Sequence, residues 1–158
     1  ILNVTCGNPY YNPHINRPYD LGFYTPPEHP LVSAERLLRC GREIQKAVPQ
    51  MIVMGTGLSW LREYGAMVAA GAIREGWFQL AGFGRQAIAY PDFPLDIFRE
   101  GGMKRSKCCI SCSKCSEIMR FGGKTGCVVR DSGVYAPQYR KCRDGKPTLI
   151  DNRLAEHV

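Results

Sequence analysis

Long apolar runs are missing from this 158-residue chain, and none approaches the ~20 residues that a membrane-spanning helix needs. The Walker motif GxxxxGK[ST] and the dinucleotide fingerprint GxGxxG are missing too. Acidic residues are scarce over residues 99–146, where twelve lysines and arginines stand against four aspartates and glutamates. This basic stretch lacks a nucleic-acid fold motif and regular aromatic interleaving. We therefore expect neither a membrane nor a nucleic acid as partner.

Cysteine, by contrast, is abundant, and five of the eight cysteines fall within twenty residues. A secreted disulfide scaffold is usually shorter and spreads its cysteines, so we expect a reducing, cytoplasmic location. Four thiolates from one short segment can hold either an iron–sulfur cluster or a structural zinc ion. The candidate ligands are Cys109, Cys112, Cys115 and Cys127. Cys108 is an alternative to Cys109, but the Cys-x2-Cys spacing favours Cys109.

The remaining cysteines have a simpler interpretation. Cys6, Cys40 and Cys142 are predicted to pack as small apolar side chains. The basic residues around the cysteine series have two interpretations that stay open, compensation of an anionic metal–thiolate cluster and an ordinary solvated surface.

Short apolar runs alternate with helical patterns along the first hundred residues. The predicted elements are a strand over 1–6, a helix over 32–47, a strand over 51–54, a helix over 60–74, a strand over 78–81 and a short helix over 86–89. This alternation is typical of α/β architecture, either a doubly wound sheet or a barrel. The pattern stops near residue 100, so we predict one region over 1–100 and a cysteine-rich region over 101–158. Because the chain opens inside a strand-like run, we expect it to belong to a longer protein.

Glycine turns end two of these strands. Gly55-Thr56-Gly57 follows the second strand, and Gly82-Phe83-Gly84-Arg85 follows the third. Glycine lets a backbone approach a ligand closely, helix starts attract anions, and arginine clamps phosphate. The two turns together predict a phosphate site formed by Gly55, Thr56, Gly57, Gly82, Gly84 and Arg85. The alternative is a pair of ordinary tight turns with Arg85 in a surface ion pair.

Taken together, these motifs resemble the old yellow enzyme family of NADH:flavin oxidoreductases. The likeness is to its iron–sulfur branch, which includes 2,4-dienoyl-CoA reductase and trimethylamine dehydrogenase. The segment 54–57 is similar to the turn after barrel strand 7, and 82–92 is similar to the segment after strand 8. Residues 107–112 are similar to the family's cluster-binding segment. The order Pro91-Asp92 departs from the family's Asp-Pro.

The resemblance implies that residues 1–100 are about strands 6–8 of a (β/α)8 TIM barrel that binds FMN. It also implies a [4Fe-4S] cluster on the four cysteines, NAD(P)H as electron donor, and an organic substrate of the enoyl, dienoyl or amine type. An FAD-binding domain can follow in the parent protein. The family's catalytic proton donor lies on strands that this chain lacks. No catalytic residue is assigned, and we expect the chain alone to be inactive.

The loop over residues 7–30 lies at the catalytic face in the resembled barrels. Tyr10, Tyr11 and His14 are therefore candidates for a substrate pocket, and the alternative is a loop packed on its own aromatic side chains. Half a barrel leaves open strand edges, so the rest of the barrel or a second copy is an expected partner. The rival to the whole interpretation is a zinc-stabilised, non-catalytic binding module.

Overall fold

The chain divides into two compact units, Ile1–Cys112 and Ser113–Val158. The computed structural model describes residues 1–9, 11–19 and 24–145. The sequence places a boundary at residue 100, where the composition changes. The boundary between the units falls twelve residues later, inside the cysteine series.

The first unit carries the alternating elements. They are β1 (Leu2–Asn3), α1 (Pro13–Asn16), α2 (Pro30–Ala47), β2 (Val53–Gly55), a 3₁₀ segment (Leu58–Tyr64), α3 (Gly65–Arg74), β3 (Leu80–Ala81), α4 (Gly84–Ala89) and α5 (Phe93–Glu100). None of the helices in the described ranges is both long enough and apolar enough to cross a membrane.

The three strands form one parallel sheet in the order β1-β2-β3. Leu2 pairs with Val53, and Met54 pairs with Leu80. Sequential parallel neighbours occur both in a barrel and in one half of a doubly wound sheet. The identity of this sheet with barrel strands 6–8 thus stays a prediction.

A small apolar core lies behind the sheet. Val53 is fully buried, and Phe78 is 1% exposed. Helix α2 covers them with Cys40 and Ile44, which are four residues apart and lie on one face of the helix. Burying one large apolar side chain contributes about 2 kcal/mol, so these few residues hold the sheet against α2.

Helix α2 begins two residues before the predicted start. His29 accepts the backbone N–H of Leu31 at 3.2 Å, and Pro30 occupies the first turn, where its missing N–H costs nothing. Ser33, a plausible N-cap by sequence, instead donates to Glu28 at 2.7 Å. Hydrogen bonds from Arg36 lower the pKa of Glu28 to about 2. His29 therefore caps the helix, and the Ser33 hydroxyl joins the Glu28–Arg36 ion pair instead.

The predicted helix over 60–74 is α-helical only from Gly65 to Arg74. The chain after β2 turns through the 3₁₀ segment, and Arg62 leaves the helical region with φ 54°. Ser59, a candidate cap for this helix by sequence, accepts the N–H of Gln86 at 3.3 Å instead. The regular helix, α3, starts only at Gly65.

The second unit contains α6 (Lys114–Arg120) and α7 (Ser132–Arg143). Its buried apolar residues are Ile118, Val128 and Cys142. Gly123 packs so closely that a methyl group there would lie 2.7 Å from Ile118 and 3.0 Å from the Cys142 sulfur. This core is small, as expected of a short segment.

Candidate functional site

The two glycine turns lie side by side at the carboxyl ends of β2 and β3. Gly82 donates its backbone N–H to the carbonyl oxygen of Gly55 at 2.8 Å. A methyl group on Gly82 would come within 3.0 Å of the Met54 sulfur and 3.1 Å of the Thr56 side chain. Thr56 Oγ1 donates to the carbonyl oxygen of Val4 at 2.7 Å, which ties the first turn to the end of β1. The structure therefore brings the two predicted turns together.

Packing alone accounts for both glycines of the first turn. A methyl group on Gly55 would lie 2.3 Å from the ring of Phe78, a contact that no side chain makes. Gly57 has φ +90°, and a methyl group there would lie 2.7 Å from Leu37. The fold requires glycine at these two positions whether or not a ligand binds.

Packing does not explain why residue 84 in the second turn is a glycine. It is exposed, its φ is outside the left-handed region, and no described heavy atom lies within 4 Å of where its side chain would be. Gly84 is also the first residue of α4. The open space beside it is where a ligand could approach the backbone.

Arg85, the next residue, is half-buried and only partly satisfied. Its Nη2 donates to the carbonyl oxygen of Pro18 at 3.4 Å. Its Nη1 is buried and finds no hydrogen-bond partner within the described ranges. Buried donors are almost always paired, and oxyanions are the strongest partners for a guanidinium. Arg85 thus has donor capacity to offer to an anion.

Gln86 connects the second turn to the cysteine series, and sequence reasoning missed it. Its side chain is fully buried, and Oε1 accepts the backbone N–H of Cys109 at 2.9 Å. Nε2 lies 3.5 Å from the Met103 sulfur. Helix α4 therefore carries Arg85 and also fixes the first candidate ligand. No local pattern reveals this role, because the partner is 23 residues away.

The adjacent thiols of Cys108 and Cys109 have different surroundings. Cys108 is fully buried beside Tyr90, and its Sγ lies 3.4 Å from the carbonyl oxygen of Lys104. Cys109 Sγ instead accepts the backbone N–H of Ser111 at 3.4 Å. A hydrogen bond donated to sulfur stabilises a thiolate, the form that binds metals. These contacts favour Cys109 as the ligand.

The backbone around Cys112 is tightly turned. Ser111 and Ser113, on either side of it, have φ of 56° and 62°. Residues other than glycine adopt this left-handed region at a steric cost, and such positions cluster at functional sites. The turn between the first two candidate ligands is therefore a specific conformation and not an extended linker.

Cys115 and Cys127 belong to the second unit. Cys115 is half-buried on α6, and Cys127 Sγ accepts the backbone N–H of Arg130 at 3.2 Å. Across residues 1–9, 11–19 and 24–145, no three His, Cys, Asp or Glu side chains are gathered closely enough to hold a metal ion. The four-cysteine set therefore stays a prediction.

Basic residues that precede the cysteines form ion pairs on the first unit. The pairs are Lys104 with Glu100 at 2.7 Å, Lys107 with Asp92 at 2.9 Å and Arg105 with Glu63 at 3.5 Å. Pairing of this kind fits the surface interpretation of these three charges, since each already has an acidic neighbour.

Tyr90 contacts the segment that precedes the cysteines. Its hydroxyl donates to the carboxylate of Asp96, and this hydrogen bond lowers the pKa of Asp96. Burial raises the pKa of Tyr90 itself. Lys107 Nζ lies 4.7 Å from the Tyr90 ring centroid and 3.3 Å from Asp96 Oδ2. The chain leading to Cys108 is thereby held on α5.

The three remaining cysteines are Cys6, Cys40 and Cys142. Burial, together with the neighbouring Cys40, raises the pKa of Cys6 to about 11, so its thiol stays protonated. Cys40 packs against the core of the first unit, and Cys142 is buried in the second. The prediction that Cys142 packs as a small apolar group is confirmed.

The loop over residues 7–30 contains the three predicted substrate-pocket residues. Tyr10 lies outside the described residues, and Tyr11 is 85% exposed. His14 is half-buried, and its Nδ1 lies 2.7 Å from the Tyr24 hydroxyl. Tyr24 also stacks on His14. These contacts belong to a loop packed on its own side chains, and the pocket stays a prediction.

Comparison with models of known protein families, with curated proteins and with solved structures finds no match for this chain. The family resemblance accordingly rests on the quoted motifs alone.

Proposed function

We propose that this chain contributes the FMN-phosphate site and the cluster-binding thiols of a flavin- and iron–sulfur-dependent oxidoreductase. One observation supports this proposal above the others. Arg85 has a buried donor with no hydrogen-bond partner among the described residues, and the side chain of its neighbour Gln86 accepts the backbone N–H of Cys109 at 2.9 Å. This contact would link a phosphate site at Arg85 to a cysteine site at Cys109 through two neighbouring residues of α4.

Three residues of the second glycine turn have separate roles in this proposal. Arg85 donates to the phosphate oxygens, and Gly84 leaves room for the phosphate beside the start of α4. Gly82 keeps the turn close against the first turn, where Thr56 is already held by Val4. The first turn contributes the shape of its backbone to the site, because packing already requires glycine at Gly55 and Gly57.

The cysteines bind the metal as thiolates. Backbone N–H groups that donate to Cys109 and Cys127 at 3.4 and 3.2 Å stabilise those thiolates and suit either iron or zinc. When bound, FMN supplies hydride transfer and the cluster supplies single-electron transfer. Gln86 fixes the position of Cys109 relative to the turn that holds the phosphate.

The wider assignment follows the family resemblance. The parent enzyme would pass electrons between NAD(P)H and an organic substrate of the enoyl, dienoyl or amine type. The remainder of the barrel would complete the flavin site, and a downstream domain would bind FAD. A reducing cytoplasm suits the free thiols.

Metal analysis of the full chain tests the proposal. After anaerobic reconstitution with ferrous iron and sulfide, we expect iron, acid-labile sulfide and broad absorbance near ~400 nm. Cys109→Ser and Cys112→Ser should each lose most of the iron. Cys108→Ser should keep it, and Cys40→Ser is the matched control outside the series.

Zinc is the competing outcome. A colourless protein with one tightly bound zinc and no retained sulfide would overturn the electron-transfer role and support a zinc-stabilised module. Iron loss in Cys108→Ser but not in Cys109→Ser would keep the function and exchange the two ligands.

A further inference from the structure

Two cysteines outside the cysteine series lie next to each other in the first unit. Cys6 follows the end of β1, and Cys40 lies within α2. Their side chains interact through a thiol–thiol hydrogen bond. Neither thiol is in a disulfide, and both residues are only half-buried, so a small molecule can reach the pair from solvent.

The core of the first unit holds the two cysteines as neighbours. Val4, two residues before Cys6, is 3% exposed, and its N–H donates to the carbonyl oxygen of Met54 at 3.1 Å. The Val4 carbonyl oxygen accepts from Thr56 Oγ1 at 2.7 Å. Cys40 packs against the apolar cluster that contains Val4. A disulfide forms without strain only where two backbones are already close, and here the sheet and α2 bring them together before any bond forms.

Arg36 contributes the positive charge beside this pair. It lies one turn before Cys40 on α2, and its charge acts on both thiols. A nearby cation stabilises a thiolate, the form of cysteine that attacks a disulfide. Cys6 keeps its proton, because burial and the neighbouring Cys40 raise its pKa to about 11. We therefore expect Cys40 to supply the first attacking thiolate and Cys6 the second.

We propose that Cys6 and Cys40 form a reversible disulfide when the chain meets a small disulfide oxidant of the glutathione type. The Cys40 thiolate attacks one sulfur of oxidised glutathione, and a mixed disulfide forms as one glutathione leaves. Cys6 then loses its proton and attacks the Cys40 sulfur, which expels the second glutathione. The two protein thiols are oxidised to one disulfide, the glutathione disulfide is reduced, and the two protons end on the two released glutathione thiols.

The new bond would link the end of β1 to α2. In a reducing cytoplasm it would be open, and it would form as the ratio of oxidised to reduced glutathione rises. Because the disulfide closes the long loop between the two cysteines, the oxidised chain should resist unfolding better than the reduced chain. The inference does not rest on the proposed function, since the pair takes part in neither the phosphate site nor the cysteine series.

Peptide mapping of the full chain tests the pair. The reduced chain is equilibrated with mixtures of oxidised and reduced glutathione, free thiols are blocked with iodoacetamide, and the unreduced digest is analysed by mass spectrometry. We expect peptides linked through Cys6 and Cys40 in the native chain, and loss of this preference when the chain is oxidised in urea. Cys6→Ser should trap glutathione on Cys40, because the second attack is missing. Cys142→Ser replaces a buried cysteine of the second unit and should keep the link.

Thermal unfolding gives a second readout. Oxidised wild type should melt on the order of 5 °C above reduced wild type, whereas Cys40→Ala treated in the same way should show no such rise. Separate alkylation of Cys6 and Cys40 in the native chain under the most oxidising mixture would overturn the proposal, and so would a link that appears only after unfolding. The wild-type peptide map decides alone if a variant fails to fold.

Discussion

The two glycine turns look alike in sequence but differ in what makes glycine necessary. In the first turn, Gly55 and Gly57 face Phe78 and Leu37 at distances that exclude a side chain. In the second turn, no side chain in the described part of the chain approaches the Cβ position of Gly84. The first turn is therefore explained by the core, and the second is not.

The comparison shows which features of a strand-end glycine point to a ligand. A glycine at the end of a parallel strand does not indicate a ligand when core side chains fill the space that its own side chain would need. The space beside Gly84 and the buried Arg85 donor, both without a contact from the described residues, are informative, because the described part of the fold gives no reason for either. The four predictions below test this difference.

Gly55→Ala should have the largest effect, through stability. Its methyl group would lie 2.3 Å from the rigid, buried ring of Phe78, so the core must shift. We expect a loss of about 3 kcal/mol in the free energy of unfolding. Urea denaturation followed by circular dichroism measures it.

Gly71→Ala is the matched control for this change. Gly71 lies within α3 with no atom within 4 Å of its Cβ position among the described residues. Alanine there should raise stability by up to about 1 kcal/mol. Equal stability of the Gly55→Ala variant and wild type would remove the contrast between the two turns.

Arg85→Ala should have the largest effect on binding. Because the guanidinium is proposed to pair with phosphate, we expect FMN to bind on the order of 30-fold more weakly. Riboflavin, which lacks the phosphate, should bind wild type and variant equally. Isothermal titration calorimetry compares the two ligands, and exposed Arg99→Ala is the control for loss of positive charge. A parallel loss of riboflavin binding would contradict a phosphate-specific role.

Sequence reasoning located the strands and both turns because these depend on local patterns. Apolar runs end at glycine, and the runs over 51–54 and 78–81 overlap β2 and β3. The contact between Gly55 and Gly82 also follows from the pattern, since parallel strands end at one edge of the sheet. These features need no information beyond a few neighbouring residues.

The features that sequence reasoning missed depend on distant partners. Gln86 reads as an ordinary helix residue, yet its partner Cys109 is 23 residues away. Ser59 and Ser33 looked like helix caps, but their hydroxyls bond to Gln86 and Glu28. A local rule assigns a hydroxyl to the nearest helix, whereas the tertiary fold can bring a different polar group within hydrogen-bond distance.

Acid should remove the stabilisation that Asp96, after the second turn, gives to the fold. The hydrogen bond of Thr56 in the first turn should not respond to pH. The hydrogen bond from Tyr90 lowers the pKa of Asp96, so the folded state favours the carboxylate. Its contribution is complete above the unfolded pKa of about 3.9 and is lost as pH falls through the lower folded value. The stability difference between wild type and Asp96→Asn should therefore shrink below about pH 4.

Thr56→Val in the first turn is the control for this pH series. It removes the hydrogen bond to the Val4 carbonyl oxygen, which carries no titratable group, so its cost should be the same at every pH. Urea unfolding between about pH 2.5 and 7 measures both variants. A cost of Asp96→Asn that does not change with pH would show that the carboxylate is not stabilised in the folded state.

Gly84→Ala should have the smallest effect, and only on binding. The added methyl group meets no described side chain, and the helical preference for alanine over glycine is small at the first residue of a helix, so the free energy of unfolding should change by less than about 0.5 kcal/mol. The same methyl group would stand where the phosphate is proposed to approach, so FMN affinity should fall a few-fold while riboflavin affinity is unchanged. Calorimetry with the two ligands and urea unfolding measure these quantities on one sample. If FMN binds as tightly as to wild type, the open space beside Gly84 is not a ligand position, and Arg85 alone would distinguish the second turn from the first.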